Sequence, residues 1–249
     1  LNRDEFLKLA PANSDQGGNS DWQKAITQTG YTQSHSLGLS GGTGGFTYNG
    51  SVYYQDQKGI VINTGRKQLG VRLSLDQKAF NDKLDVQVNV LNTQTIHDNV
   101  DANIFYWAYN ILPVTPEKVD GKDNPIYNYN YLNPIWVQNN EYKKATDNLN
   151  QQSITVNYEL LKGLKIGAFG NVSKFNTQYD YYLPTIPGAG TAINNNAFRA
   201  TSNNNSQKGD LHINYSGSFG KSNVTATGVY EYNYYEDDNY SASGAGVLV

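Results

Sequence analysis

The residues of this 249-residue chain best suited to chemistry are aromatic rings and side-chain amides. Between positions 98 and 149 run Trp107, Tyr127, Tyr129, Tyr131 and Trp136, interleaved with Asn128, Asn130, Asn133, Asn139 and Asn140. Aromatic faces stack on the apolar faces of sugar rings, and amides both donate to and accept from hydroxyls. A peptide could use the same groups. The five aromatics are therefore the candidate ligand-binding residues, although the same side chains could instead pack the segment on its neighbours. No catalytic residue stands out, and no enzyme activity is expected. His35, His97 and His212 have no fixed spacing to Asp or Glu, and the chain carries no HExxH, nucleophile elbow or phosphate loop. Gly41-Gly42-Thr43-Gly44-Gly45 lacks the Lys and helix that a phosphate loop needs and reads as a tight turn. With no Cys, disulfides, thiol catalysis and Cys-ligated zinc are excluded. Asp120-Gly121-Lys122-Asp123-Asn124 and Glu236-Asp237-Asp238-Asn239 are oxygen-rich and could hold Ca²⁺. Neither has the twelve-residue ligand spacing, so both read as solvated acidic loops and no cofactor or metal is expected.

The elements that must position these residues are strands. Apolar residues recur with a period of two: Leu69, Val71, Leu73 and Leu75; Leu84, Val86, Val88 and Val90; Ile154, Val156, Tyr158 and Leu160; Leu211, Ile213 and Tyr215. Successive side chains of a strand point to opposite faces, so each segment has one apolar and one polar face. The spacing predicts about eight strands, over 31–40, 46–56, 67–78, 84–97, 150–160, 164–180, 206–219 and 224–237. Several reach the roughly 9–11 residues that a tilted strand needs to cross a bilayer. Connections alternate: short at 41–45, 79–83, 161–163 and 220–223, long at 57–66, 98–149 and 181–205. Short turns at one end and long loops at the other characterise outer-membrane barrels. Residues 1–30 read as a further extracellular loop in which Ser20-Asp21-Trp22-Gln23 starts a short capped helix. Tyr106, Trp107 and Tyr109, then Tyr179, Tyr181 and Tyr182, then Tyr230, Tyr232, Tyr234 and Tyr235 fall at the long-loop end, where an interfacial aromatic girdle is expected.

Composition agrees. Only 16% of residues are charged, against about a quarter in ordinary soluble domains. Mean hydropathy is nevertheless −0.62. A strand set with one face in lipid and one in water produces both values, because averaging over a period of two cancels the signal. A net charge of −3 offers nothing to nucleic acid. The expected fold is therefore all-β, an antiparallel transmembrane β-barrel segment with long extracellular loops and short periplasmic turns. An open slice has two unpaired edges that lipid does not tolerate, so other strands must close it, and a barrel of about 22 strands is the natural parent if a separate plug fills it. The domain organisation follows: an extracellular loop with a short helix over 1–30, four strands over 31–97, a long extracellular loop over 98–149, and four strands plus a loop over 150–249. The chain reads as an internal piece of something longer. A small outer-membrane barrel enzyme would need a reactive constellation at its rim. A secreted β-rich glycan-binding module or adhesin would need apolar faces that meet in a core.

Over about 21–78 the chain resembles the SusC/RagA family of TonB-linked outer-membrane transporters. The residues that carry the resemblance are Asp21-Trp22-Gln23, Thr29-Gly30-Tyr31-Thr32-Gln33-Ser34-His35-Ser36-Leu37 and Ser40-Gly41-Gly42. They continue with Tyr48 to Val61 (YNGSVYYQDQKGIV), Asn63-Thr64-Gly65, Arg66, and Arg72-Leu73-Ser74-Leu75, with Ser74 where the family commonly has Asn. The resemblance implies a 22-stranded TonB-dependent receptor barrel in the bacterial outer membrane. It further implies a plug and a TonB box outside this sequence, a SusD-like surface lipoprotein as lid, power from the TonB complex, and import of an oligosaccharide or peptide. Over 98–149 the resemblance is silent.

Overall fold

The computed structural model describes residues 2–123, 126–128, 131–186 and 195–246. The first four long strands are β1 (Tyr31–Thr43), β2 (Phe46–Lys58), β3 (Gly65–Ala79) and β4 (Leu84–Asp98). Two small hairpins follow, β5 (Lys118–Val119) with β6 (Lys122–Asp123), and β7 (Ile126–Asn128) with β8 (Tyr131–Leu132). Four longer strands complete the set: β9 (Tyr142–Leu161), β10 (Leu164–Leu183), β11 (Asn196–Phe219) and β12 (Ser222–Ala245). The eight long strands form one antiparallel sheet in the order β1-β2-β3-β4-β9-β10-β11-β12. The outer strands β1 and β12 do not pair with each other, so the eight strands form an open wall.

The period-two pattern sets the faces. Register places Leu69, Val71, Leu73 and Leu75 opposite Tyr54, Val52, Gly50 and Tyr48. It places Val86 and Val88 opposite Val156 and Ile154, and Ile166 and Ala168 opposite Ile213 and Leu211. Paired residues share a face, so one side of the wall is a continuous apolar band. The band is exposed: Leu37 is 75% accessible and Leu211 62%. On the same face, two cross-strand rows end the band towards the long connections on β4 and β9–β12, whereas across β3, β2 and β1 they continue as Val71, Val52 and Leu37, and as Leu69, Tyr54 and His35. One runs Asn92, Asn150, Lys174, Asn205, Glu236, and the next runs Gln94, Asn148, Asn176, Asn203, Asp238. The opposite face carries Arg72, Ser74, Gln87, Asn89, Thr155 and Asn157.

The short connections are tight, as the sequence suggests. Gly44 and Gly45 hold φ of +56° and +83°, the two left-handed positions of a two-residue hairpin. A Cβ on Gly45 would stand 2.9 Å from the Lys78 carbonyl oxygen on β3.

The strands are longer than the apolar alternation indicates. β9 starts at Tyr142 rather than near 150, β11 at Asn196 rather than near 206, and β12 runs on to Ala245. Beyond the band both faces are polar, so hydrophobic periodicity disappears while pairing continues. One correction follows directly. Glu236-Asp237-Asp238-Asn239 is not a loop but lies within β12, paired with Asn205, Asn204, Asn203 and Ser202.

A second correction concerns 98–149. It is no structureless loop but holds α3 (Ile104–Asn110), α4 (Pro134–Asn140) and both small hairpins. The N-terminal region adds α1 (Arg3–Leu9), which the apolar pattern does not reveal, and the anticipated α2 (Trp22–Ala25). Asp21 caps α2, its Oδ1 accepting from the Lys24 N–H at 3.0 Å. Of these pieces α2, α3, α4 and β8 pack into a cap, together with Val61 of the β2–β3 connection and Ile186 beyond β10. Among the described residues, every buried hydrophobic side chain lies there: Trp22, Ile26, Val61, Ile104, Ala108, Ile111, Val114, Trp136, Val137 and Ile186. The wall itself has no core, because its apolar face is turned outward.

Candidate functional site

The cap is tied together by hydrogen bonds between distant segments. The Trp22 indole Nε1–H donates to the Leu112 carbonyl at 3.2 Å, and the Ser20 hydroxyl to the Thr115 carbonyl at 2.6 Å. Gln28 Nε2 donates to the carbonyls of Gly59 and Val61, both at 3.0 Å, and Asn63 Nδ2 to that of Gln138 at 2.8 Å. Each bond fixes a loop that would otherwise leave polar groups buried without partners.

α3 is amphipathic. Ile104 and Ala108 are buried with Trp22 and Ile26, and Ile111 follows at the C-cap. The other side of the helix presents Phe105, Tyr106 and Tyr109 at 50%, 56% and 77% exposure. Positions four apart lie above one another on a helix, so Phe105 and Tyr109 form one aromatic platform. With Gln23, Lys24 and Thr27 of the α2 segment it lines a cleft of about 750 Å³. Rings beside an amide, a hydroxyl and an ammonium form a surface for a polyhydroxyl ring or a peptide.

The sequence-derived candidates are placed differently. Trp136 is buried at 9% exposure and packs with Val137 and Ile186, while Trp107 and Leu132 pack against that cluster. Asn133 holds Trp136 there by capping α4, its Oδ1 accepting from the N–H groups of Ile135 at 2.9 Å and Trp136 at 3.3 Å. Trp107 and Trp136 are thus brought together, inside the cap. The backbones of Tyr127 and Tyr131 lie on the β7–β8 hairpin. The side chains of both, and Tyr129 altogether, lie outside the described residues. Phe105 carries no period-two signal, because Phe105 and Tyr109 follow a helical period of four within α3. Tyr106 and Tyr109 belong to this cap helix, so with Trp107 they do not form an interfacial girdle on the wall.

Glu141 ends α4, where its backbone N–H donates to the Val137 carbonyl at 2.7 Å. Burial pushes its carboxyl above the usual range, and nearby Lys143 only partly offsets this. The nearby Asp101 carboxylate acts in the same direction as burial. Tyr181 shares a hydrogen bond with this carboxyl.

The polar face of the wall carries its own networks. His97 Nε2 lies 3.1 Å from Asp147 Oδ2, and Thr177 donates to Asp147 Oδ1 at 2.8 Å. His212 sits between Asp210, at 2.7 Å, and Asn157, at 2.9 Å. Arg66 donates to Gln55 at 2.9 Å and to Gln68 at 3.0 Å. In neither histidine network does the imidazole contact a hydroxyl it could activate, so both order the wall rather than form a catalytic pair. Among the described residues no group of three or more His, Asp or Glu converges as a metal site would require. In the acidic segment at 120–124, Asp120 and Gly121 turn the β5–β6 hairpin, and Lys118 lies 3.9 Å from Asp123.

No family model matches the chain. It is 26% identical over 257 residues to "TonB-dependent receptor P3" of Formosa agariphila, an alignment covering 93% of this chain and 25% of that protein. The chain thus spans about a quarter of the length of this relative. Its fold is similar to a chain of the RagAB peptide transporter, with a TM-score of 0.75 and 21% identity over 98% of this chain and 28% of the other. The same transporter in its open-open state gives 0.74, with 21% identity over 90% of this chain and 26% of that one. BauA, the ferric preacinetobactin receptor of Acinetobacter baumannii, gives 0.54 at 13% identity, over 86% of this chain and 29% of the receptor. Sequence and fold together therefore bear out the resemblance to SusC/RagA-type TonB-dependent receptors, and the open wall has the fold of a stretch of such a barrel. Its apolar band corresponds in position to the face that outer-membrane barrels turn to lipid.

Proposed function

We propose that this chain forms one stretch of wall, with its extracellular cap, in a TonB-dependent outer-membrane importer of oligosaccharides or peptides. The reading has no enzymatic step, and no cofactor is assigned to it. The observation that carries it is the pairing of an exposed apolar band with a separately folded, aromatic-faced cap at the long-loop end. The wall supplies the lipid contact, and the cap supplies rings and amides where a nutrient would enter. The partners are a SusD-like surface lipoprotein over the cap and the TonB complex, the latter acting through parts outside this sequence.

Within this reading, Phe105, Tyr106 and Tyr109 make first contact with the nutrient. Trp107 and Trp136 act by holding the cap in shape, beside the β7–β8 hairpin. The test is binding by the full-length receptor, purified with and without its lipoprotein, against oligosaccharide and peptide panels in calorimetry. Phe105→Ala combined with Tyr109→Ala is expected to weaken nutrient binding severalfold without loss of folded barrel. Unchanged affinity would remove the platform from the import path. Loss of the lipoprotein with unchanged affinity would reassign it to the lid contact.

A further inference from the structure

The outer face of the wall changes chemistry abruptly where the apolar band ends. The second polar row above it is built from amides on four consecutive sheet strands: Gln94 on β4, Asn148 on β9, Asn176 on β10 and Asn203 on β11. Two cross-strand bonds link them, Gln94 Nε2 to Asn148 Oδ1 at 2.9 Å and Asn176 Nδ2 to Asn203 Oδ1 at 2.6 Å. A primary amide has two donors and an acceptor with two lone pairs, so one bond per pair leaves most of this capacity unused. Strands lie about 4.8 Å apart, so the row presents a hydrogen-bonding strip roughly 14 Å wide. It is nearly uncharged: Lys174, in the row beneath, is the one cation in the two rows, and the carboxylates of Glu236 and Asp238 lie at the β12 end.

What lies against this strip follows from continuity. On β4, β9, β10 and β11 the rows occupy the same face as the band and begin where it stops, so a bilayer that covers the band sets its head-group layer against them there. An amide strip with a single lysine suits hydroxyls far better than clustered phosphates, which call for several Arg or Lys side chains. We propose that the row Gln94–Asn148–Asn176–Asn203 binds the saccharide head groups of the outer leaflet's glycolipid. The proposal rests on the reading of the wall as a lipid-facing barrel segment. It concerns the outer surface and is separate from the nutrient path.

The test uses the full-length receptor carrying this segment, reconstituted in nanodiscs of three compositions. These contain lipopolysaccharide with a complete core oligosaccharide, lipopolysaccharide truncated to its lipid A portion, or phosphatidylethanolamine alone. Glycolipid retained per receptor after phospholipid exchange is the readout. Wild type is expected to retain the full-core form severalfold better than the truncated form. Asn148→Ala/Asn176→Ala/Asn203→Ala should erase that preference while keeping heat-modifiable migration in gels. Should the triple variant not reach the folded form, the single Asn148→Ala on its half-buried site should still reduce the preference. Equal retention of both forms by wild type would assign the contact to lipid A phosphates and overturn the proposal. An unchanged preference in the folded variants would overturn it as well, as would loss of the co-purifying lipoprotein in its place, which makes the strip a protein contact. Recovery of wild-type receptor in the aqueous fraction without detergent is a different outcome, which would overturn the barrel reading itself.

Discussion

Tryptophan and glutamate positions in the cap separate packing from binding. Trp136 is buried, so Trp136→Ala removes a large core side chain, at about 3–5 kcal/mol of local stability. The expected outcome is faster proteolytic cleavage within 99–141 in folded receptor, and retained cleavage resistance would contradict it. Tyr109 is 77% exposed, so Tyr109→Ala should leave cleavage unchanged and weaken nutrient binding by about 1 kcal/mol, roughly fivefold in Kd. Glu141 gives a pH dependence of definite sign. Its carboxyl titrates above its ordinary value of 4.5 in the folded cap. Below that value it is protonated whether the cap is folded or open. As pH rises from 4.5 through the raised folded value, the open form loses its proton first, and the cap loses stability. Hydrogen exchange over 133–141, corrected for intrinsic rates, should show more protection near pH ~4.5 than near pH ~8. Glu141→Gln should flatten the difference, and an opposite slope in wild type would refute the burial account. The sequence made the aromatic content of this region legible. It did not reveal which rings are buried, because Trp107 and Tyr109 differ only in the side of α3 they occupy.

At the level of elements, strands were legible wherever one face is apolar and the other polar. The 84–97 and 164–180 segments match β4 and β10 to within a few residues. Strand ends were not legible in Tyr142–Asn150 or over 196–205, where both faces are largely polar and backbone pairing alone defines the element. The helices of the cap were missed, apart from α2, because a short helix shows at most two turns of its period. The tight turns yield a prediction of their own. Gly163 joins β9 to β10 at φ +82°, and a Cβ there would lie 2.2 Å from the Ser216 carbonyl oxygen on β11. Gly163→Ala therefore meets both left-handed strain and a backbone clash that no rotamer relieves. It should slow barrel assembly, seen as a larger share of unfolded band in heat-modifiability gels, whereas Lys162→Ala beside it should not.

For the molecule as a whole, the deciding feature is a sheet with no core and two free edges. β12 is exposed along nearly its full length and β1 along all of it. In lipid, every backbone group of such an edge needs a partner. Residues 1–249 expressed alone are therefore expected to aggregate, or to bind detergent without heat-modifiable migration. The full-length receptor should migrate as a compact barrel. A soluble, monomeric product of the isolated chain would show that the apolar faces meet one another rather than lipid.

The sequence by itself determined the class of this protein. A strict period of two, alternating connection lengths and the motif run over 21–78 are local properties, each readable without knowing what lies across the fold. Tertiary structure alone decided the rest. It folded the 99–141 connection, with Trp22, Ile26, Val61 and Ile186 from other segments, into a cap with a shared core, buried Trp136 and exposed Tyr109. It also aligned amides from four strands, far apart in the chain, into one row above the exposed apolar band. The physical reason is common to all three. Alternation reports which face a residue takes on its own strand, but burial, exposure and cross-strand alignment depend on the register and packing of segments that meet only in the folded molecule.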